Sequence, residues 1–145
     1  MRCKELKSKR FGQMLTTECF SLQSKSMSAS SHSPLTTHVL DTSLGLPAKG
    51  LTLHLARLEE SSKNWKELTT GYTNADGRCP DLLSPEQFTA GTYKVHFETG
   101  TYWQQIEKTS FYPYVEIVFT IEDPNQKYHI PLLLSPFSYT TYRGS

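Results

Sequence analysis

From Pro34 onward, apolar and polar side chains alternate in short runs separated by turn-forming residues. Leu51, Leu53 and Leu55 alternate with Thr52, His54 and Ala56; Tyr93, Val95 and Phe97 alternate with Lys94, His96 and Glu98. Val115, Ile117, Phe119 and Ile121 repeat the pattern with Glu116 and Thr120 opposite them, Val118 breaking strict alternation and Pro113 and Pro124 bracketing the run. A period of two sends successive side chains to opposite faces, so each run predicts a strand with one buried side. Further strands are predicted over 35–41, 64–73, 128–134 and 137–142, the last after a Ser135-Pro136 turn. Asp76-Gly77 predicts a tight turn. Thr101 to Lys108 is the one stretch of helical character, with Trp103 and Ile106 available for packing. Short strands at even spacing predict an all-β sandwich with one short helix.

The first 32 residues do not share this pattern. They are rich in serine and show no sustained apolar period, which predicts a disordered extension outside the fold or a targeting segment. The globular domain is then expected over 33–145, and Met27 is a candidate second start. Charge divides at the same boundary. Residues 1–33 hold six of the fifteen basic residues and two of the fourteen acidic ones, which leaves the body of the chain acidic although the whole carries +1. A body without a basic stripe argues against nucleic-acid binding. No run approaches the roughly 20 apolar residues that span a bilayer, so a soluble protein is expected. Cys3, Cys19 and Cys79 are odd in number and widely spaced, which fits neither a disulfide framework nor paired zinc ligands and suits a reducing compartment.

Candidate chemistry has to come from polar groups that meet across the sandwich. The Gly-x-Ser-x-Gly elbow, the phosphate-cradling glycine loop and the His-Glu-x-x-His zinc helix are all missing from the sequence. His38 lies within Leu35-Thr36-Thr37-His38-Val39-Leu40 and shares a face with Thr36 and Leu40 by period two. His129 shares a face with Pro131 and Leu133, whereas His32, His54 and His96 are expected in the tail or facing solvent. Arg78 follows the Asp76-Gly77 turn and precedes Cys79-Pro80, so a tight corner presents it. The polar end Tyr142-Arg143-Gly144-Ser145 follows an apolar strand, and an ordered segment of that kind lines a site more readily than a core. Taken one at a time, these residues decide nothing.

Taken together they resemble a known family. Ser33-Pro34-Leu35-Thr36-Thr37-His38-Val39-Leu40-Asp41, Thr73-Asn74-Ala75-Asp76-Gly77-Arg78-Cys79-Pro80, Phe111-Tyr112-Pro113-Tyr114-Val115-Glu116, His129-Ile130-Pro131-Leu132-Leu133-Leu134-Ser135-Pro136 and the terminal Tyr142-Arg143-Gly144-Ser145 are similar to the blocks of the hydroxyisourate hydrolases, transthyretin-related enzymes of urate breakdown. The resemblance covers residues 33 to 145. It implies a transthyretin-like β-sandwich of two four-stranded sheets, assembled as a homotetramer, a dimer of dimers with active sites in the channel between dimers. It also implies catalytic roles for His38, Arg78, His129 and Ser145, with substrate binding by His38, Arg78, Tyr142, Arg143 and Gly144. The implied reaction is opening of the 5-hydroxyisourate ring by water to give 2-oxo-4-hydroxy-4-carboxy-5-ureidoimidazoline, and neither metal nor cofactor is required.

Those residue types suit that reaction. A neutral imidazole accepts a proton near pH 7 and returns it to a departing nitrogen. A guanidinium presents a planar fork of donors to anionic oxygens. His38 and His129 are therefore expected to hold and activate water, with the choice of base open between them. Arg78 is expected to polarise the substrate and the terminal segment to complete the pocket. A carrier of aromatic hormones on the same scaffold is the alternative, and it would not need His38, Arg78 and His129 together. The resemblance implies a peroxisomal home, with cytoplasm as the alternative because Arg143-Gly144-Ser145 is not the Ser-Lys-Leu address.

Overall fold

The alternating runs become eight strands and one helix in a computed structural model, which describes residues 32–144. The expectations for residues 1–31 and for Ser145 lie outside the described residues. Strands β1 (Leu35–Asp41), β2 (Leu46–Pro47), β7 (Tyr128–Ser135) and β8 (Ser138–Thr141) form one sheet in the order β2-β1-β7-β8. Strands β3 (Thr52–Glu59), β4 (Asn64–Tyr72), β5 (Gly91–Phe97) and β6 (Val115–Ile121) form the other in the order β4-β3-β5-β6. The expected sandwich of two four-stranded sheets is therefore observed.

Alternation decides which side chains the sheets share. Leu35, Val39, Leu53, Leu55, Val95, Phe97, Val115, Ile130, Leu132 and Leu134 point inward and are fully or almost fully buried. Each such side chain contributes roughly 1.5–3 kcal/mol of burial, which makes the two-faced pattern the main source of cohesion. The opposite positions of β1, namely Thr36, His38 and Leu40, are only half-buried on the outer face. Val118, which interrupts the alternation of β6, occupies an outward position at the sheet edge and is exposed.

One buried carboxylate ties the strand ends to the helix. Asp41 closes β1 with no exposed surface; one oxygen accepts from the backbone of Ser43 and Leu44 and from the Ser43 hydroxyl, and the other accepts from the Tyr102 hydroxyl at 2.9 Å. Burial and the Asp41 carboxylate push the Tyr102 hydroxyl well above the ordinary tyrosine range, so it remains a donor.

Strand ends differ by a residue from the spans read in the sequence, β4 stopping at Tyr72, β7 at Ser135 and β8 covering Ser138–Thr141, and two differences are larger. The helix α1 runs over Thr99–Gln105, not 101–108, because it starts directly after β5 with Thr99, Tyr102 and Trp103 packed inward. Its end is set by Glu107 at φ 57, where Glu107 N–H donates to Gln104 O and Lys108 N–H to Trp103 O, a reversed turn that closes the helix without a glycine. The two-residue β2 has no periodicity to announce it and exists because Leu46 and Pro47 pair with Asp41 and Leu40.

Candidate active site

The outer face of the β2-β1-β7-β8 sheet carries the candidate chemistry. Strands β1 and β7 run parallel in a register that sets Thr36 beside His129 and His38 beside Pro131. Residues so paired have side chains on the same face. The Thr36 Oγ1 accordingly lies 2.8 Å from His129 Nδ1, across 93 positions of sequence.

Arg78 reaches this face through a tightly bonded corner. Asn74 Oδ1 accepts from the Asp76 and Arg78 amides at 2.9 and 3.1 Å, Gly77 N–H donates to Asn74 O at 2.9 Å, and Gly77 sits at φ 71. Gly77 O in turn accepts from Val39 N–H at 2.8 Å, and Arg78 pairs with His38 in an isolated antiparallel bridge. The corner is therefore docked on β1, and Arg78 leaves it at the tight turn that the sequence predicts. Its side chain is exposed, and among the described residues no carboxylate pairs with its guanidinium.

The chain terminus closes over His129 from the other side. Gly144 pairs with His129, its N–H donating to His129 O at 3.0 Å. The contact is so close that a Cβ at position 144 would fall 2.6 Å from His129 Cδ2, so only glycine fits without moving the ring. Ser33, Pro34, Thr36, Arg78, Lys127, Tyr128 and His129 line one cavity of about 380 Å³, a size within the range of small-molecule sites. His129 is held below the usual histidine range, first by burial and then by the positive Arg78 and by His38. Its ring is thus favoured in the neutral form.

The other expected residues fall in different places. His38 is half-buried on the same face, joined to Arg78 through the backbone bridge. The Arg143 guanidinium lies 5.0 Å above the Tyr128 ring and donates to Gln126 Oε1 at 3.3 Å, and Tyr142 and Arg143 line a separate groove beside β6. Ser145 is outside the described residues. His54 and His96, expected to face solvent, lie part-exposed on the outer face of the second sheet, where each stands 3.4 Å from Glu98 Oε1. Pairing brings His54 beside His96 and His96 beside Glu116, a juxtaposition that depends on strand register. Among the described residues no group of three or more His, Cys, Asp or Glu side chains is arranged to hold a metal ion. Likewise, no helix there is long and apolar enough to cross a membrane.

Thr36 is a partner of His129 that the sequence does not announce. Its only signal was the shared outer face with His38, since the contact to β7 needs the parallel register.

A β-sandwich with a histidine, an arginine and a glycine-backed terminus on one sheet face defines the class of protein, and comparison with known proteins gives the family. Residues 35–144 match the HIUase/Transthyretin family, and the chain belongs to it. The mouse 5-hydroxyisourate hydrolase is 63% identical over 117 residues, covering 81% of this chain and 99% of that one. A probable 5-hydroxyisourate hydrolase of Schizosaccharomyces pombe is 47% identical over 116 residues, covering 77% and 90%. Among solved structures, sea bream transthyretin in complex with thyroxine aligns with a TM-score of 0.74 at 36% identity, covering 77% of this chain and 95% of that one. (S)-allantoin synthase aligns with a TM-score of 0.70 at 38% identity, covering 77% and 43%.

Proposed function

We propose that this chain hydrolyses 5-hydroxyisourate to 2-oxo-4-hydroxy-4-carboxy-5-ureidoimidazoline. The observation that carries the reading is the Arg78 guanidinium, without a carboxylate partner among the described residues, sharing a cavity with a neutral-biased His129, in a chain 63% identical to a mouse enzyme of that name. Water attacks a ring carbonyl carbon, a C–O bond forms, and the ring C–N bond breaks. The proton released by water passes to a histidine and then to the departing nitrogen, while the new carboxyl group stays on the product. Arg78 stabilises the oxygen charge of the tetrahedral intermediate. His38 and His129 hold the water, and Gly144 closes the pocket by its contact with the His129 ring, while Tyr142 and Arg143 line the neighbouring groove beside β6.

The site is completed by assembly in this reading. Leu40 and Leu133 stand half-buried beside His38 and His129 on the outer face, and β6 and β8 are free sheet edges within the protomer. Those features support a homotetramer built as a dimer of dimers, with the outer faces lining a channel. A carrier of aromatic hormones is less supported, because the hydrolase-named relatives span the domain at up to 63% identity.

The deciding measurement adds purified protein to freshly generated 5-hydroxyisourate and follows the loss of its absorbance. Decay well above the spontaneous rate is expected. A rate equal to the spontaneous one, with tight binding of an aromatic hormone in its place, would overturn the assignment in favour of the carrier.

A further inference from the structure

His129 has two ring nitrogens, and the structure shows what engages one of them. Nδ1 meets Thr36 Oγ1 at 2.8 Å, and the second polar neighbour of that hydroxyl is the Tyr128 carbonyl at 3.5 Å. A carbonyl oxygen only accepts. Donation of the hydroxyl proton to that carbonyl turns an oxygen lone pair toward Nδ1, the arrangement in which Nδ1–H is the donor. The Thr36 backbone carbonyl is a further acceptor beside the ring, and its hydrogen bond favours the protonated form. His38 on β1 and Arg78 on the turn lower the proton affinity of the ring, Lys127 lines the same cavity, Gly144 presents carbon to Cδ2, and Asp81 lines an adjoining cavity with Thr36 and Arg78.

We propose that Thr36 is a positioning residue that holds neutral His129 in the Nδ1–H tautomer, leaving Nε2 as the unprotonated nitrogen that takes the proton from water. The inference rests on the hydrolase reading for its kinetic consequence and on geometry alone for the tautomer. It makes His129 the base, a role open between the two histidines in the sequence. The ring is then fixed twice, by a hydrogen bond at Nδ1 and by glycine packing at Cδ2, as a base aimed at one water requires.

The test compares wild type, Thr36→Val and Thr36→Ser in the full chain. Nitrogen-15 NMR of histidine-labelled protein at pH 8 should show His129 in the Nδ1–H form in wild type and Thr36→Ser, with the Nε2–H form emerging in Thr36→Val. Because the lost bond also favours the cation, the acid-limb midpoint of kcat/KM should move down in Thr36→Val, with the plateau falling about 10²-fold. Thr36→Ser should recover both. An Nε2–H tautomer in the wild type overturns the proposal, as does a Thr36→Val protein with unchanged tautomer and pH profile. Should wild type not hydrolyse 5-hydroxyisourate at all, the proposed function fails while the NMR comparison still decides the role of Thr36.

Discussion

Each sheet turns a pair of strand histidines outward, but the company they keep differs. On the β2-β1-β7-β8 face, His38 and His129 stand with Arg78, and His129 bonds to a hydroxyl. On the β4-β3-β5-β6 face, His54 and His96 stand among carboxylates: Glu98 3.4 Å from both, Glu67 3.6 Å from His54, and Glu116 3.1 Å from His96. There Lys94 also pairs with Glu116 at 3.0 Å, and Lys94 with His96 holds the Glu116 carboxyl below the usual range. Three carboxylates against one lysine make that face unfavourable to an anionic oxygen, whereas a cation without a carboxylate partner among the described residues keeps its field for one. The two faces show that residue type alone does not make a site; the sign of the neighbouring charge does.

The two faces should part most strongly at His129. His129→Ala should lower kcat/KM toward 5-hydroxyisourate by about 10²–10⁴-fold, the usual range of general acid-base help, with the thermal midpoint nearly unmoved because the side chain is only half-buried. A near-wild-type rate would remove His129 from the reaction.

Gly144→Ala is the next largest effect. Its methyl would fall 2.6 Å from Cδ2 and 3.0 Å from Cβ of His129, so the ring must shift, and a displacement of about 1 Å costs roughly 10²-fold. Steady-state kinetics beside circular dichroism would separate this displacement from unfolding.

The pH profile sharpens the contrast further. His129 is lowered from 6.5, so it stays neutral below that value, and the acid limb of kcat/KM should have its midpoint under pH 6.5. Stability carries the same sign. Below about pH 6.5 the unfolded chain binds the histidine proton more readily than the folded one, so this contribution is whole above that pH and is lost as pH falls through the folded value. A rate profile with its midpoint above 6.5 would contradict the neutral ring.

The smallest effect is expected on the opposite face. Glu116→Gln should cost at most about 1 kcal/mol at pH 7 by urea unfolding, since its partners are partly exposed. Glu116 is lowered from 4.5, so its contribution is present above about that pH and fades as pH falls through the folded value. Ring-opening activity should be unchanged in this variant and in His54→Ala and His96→Ala. A large activity loss in any of the three would erase the distinction between the faces.

The strands were legible because alternation is a local property: Leu53, Leu55, Val95 and Phe97 declare a buried face from their own spacing. The Asp76-Gly77 corner was legible for the same reason, since Gly77 takes the positive φ that such a turn demands. The shift of α1 to Thr99–Gln105 was not, because its end depends on Glu107 adopting a left-handed conformation that its residue type does not announce. Nor was the carboxylate cluster around His54 and His96, which depends on Glu98 and Glu116 arriving from the end of β5 and from β6.

By itself, then, the sequence determined the sandwich, the blocks that place the chain in its family, and the residues His38, Arg78 and His129 as candidates. Strand pairing and chain packing bring Thr36 to His129, set Gly144 behind the ring, and turn Arg143 to Tyr128 and Gln126. The physical reason is register. A side chain's face follows from its parity along its own strand, but its neighbour across the sheet is set by a pairing that a shift of one residue would exchange for another. Thr36 and His129 are 93 positions apart, and nothing along the intervening chain encodes which of them will meet.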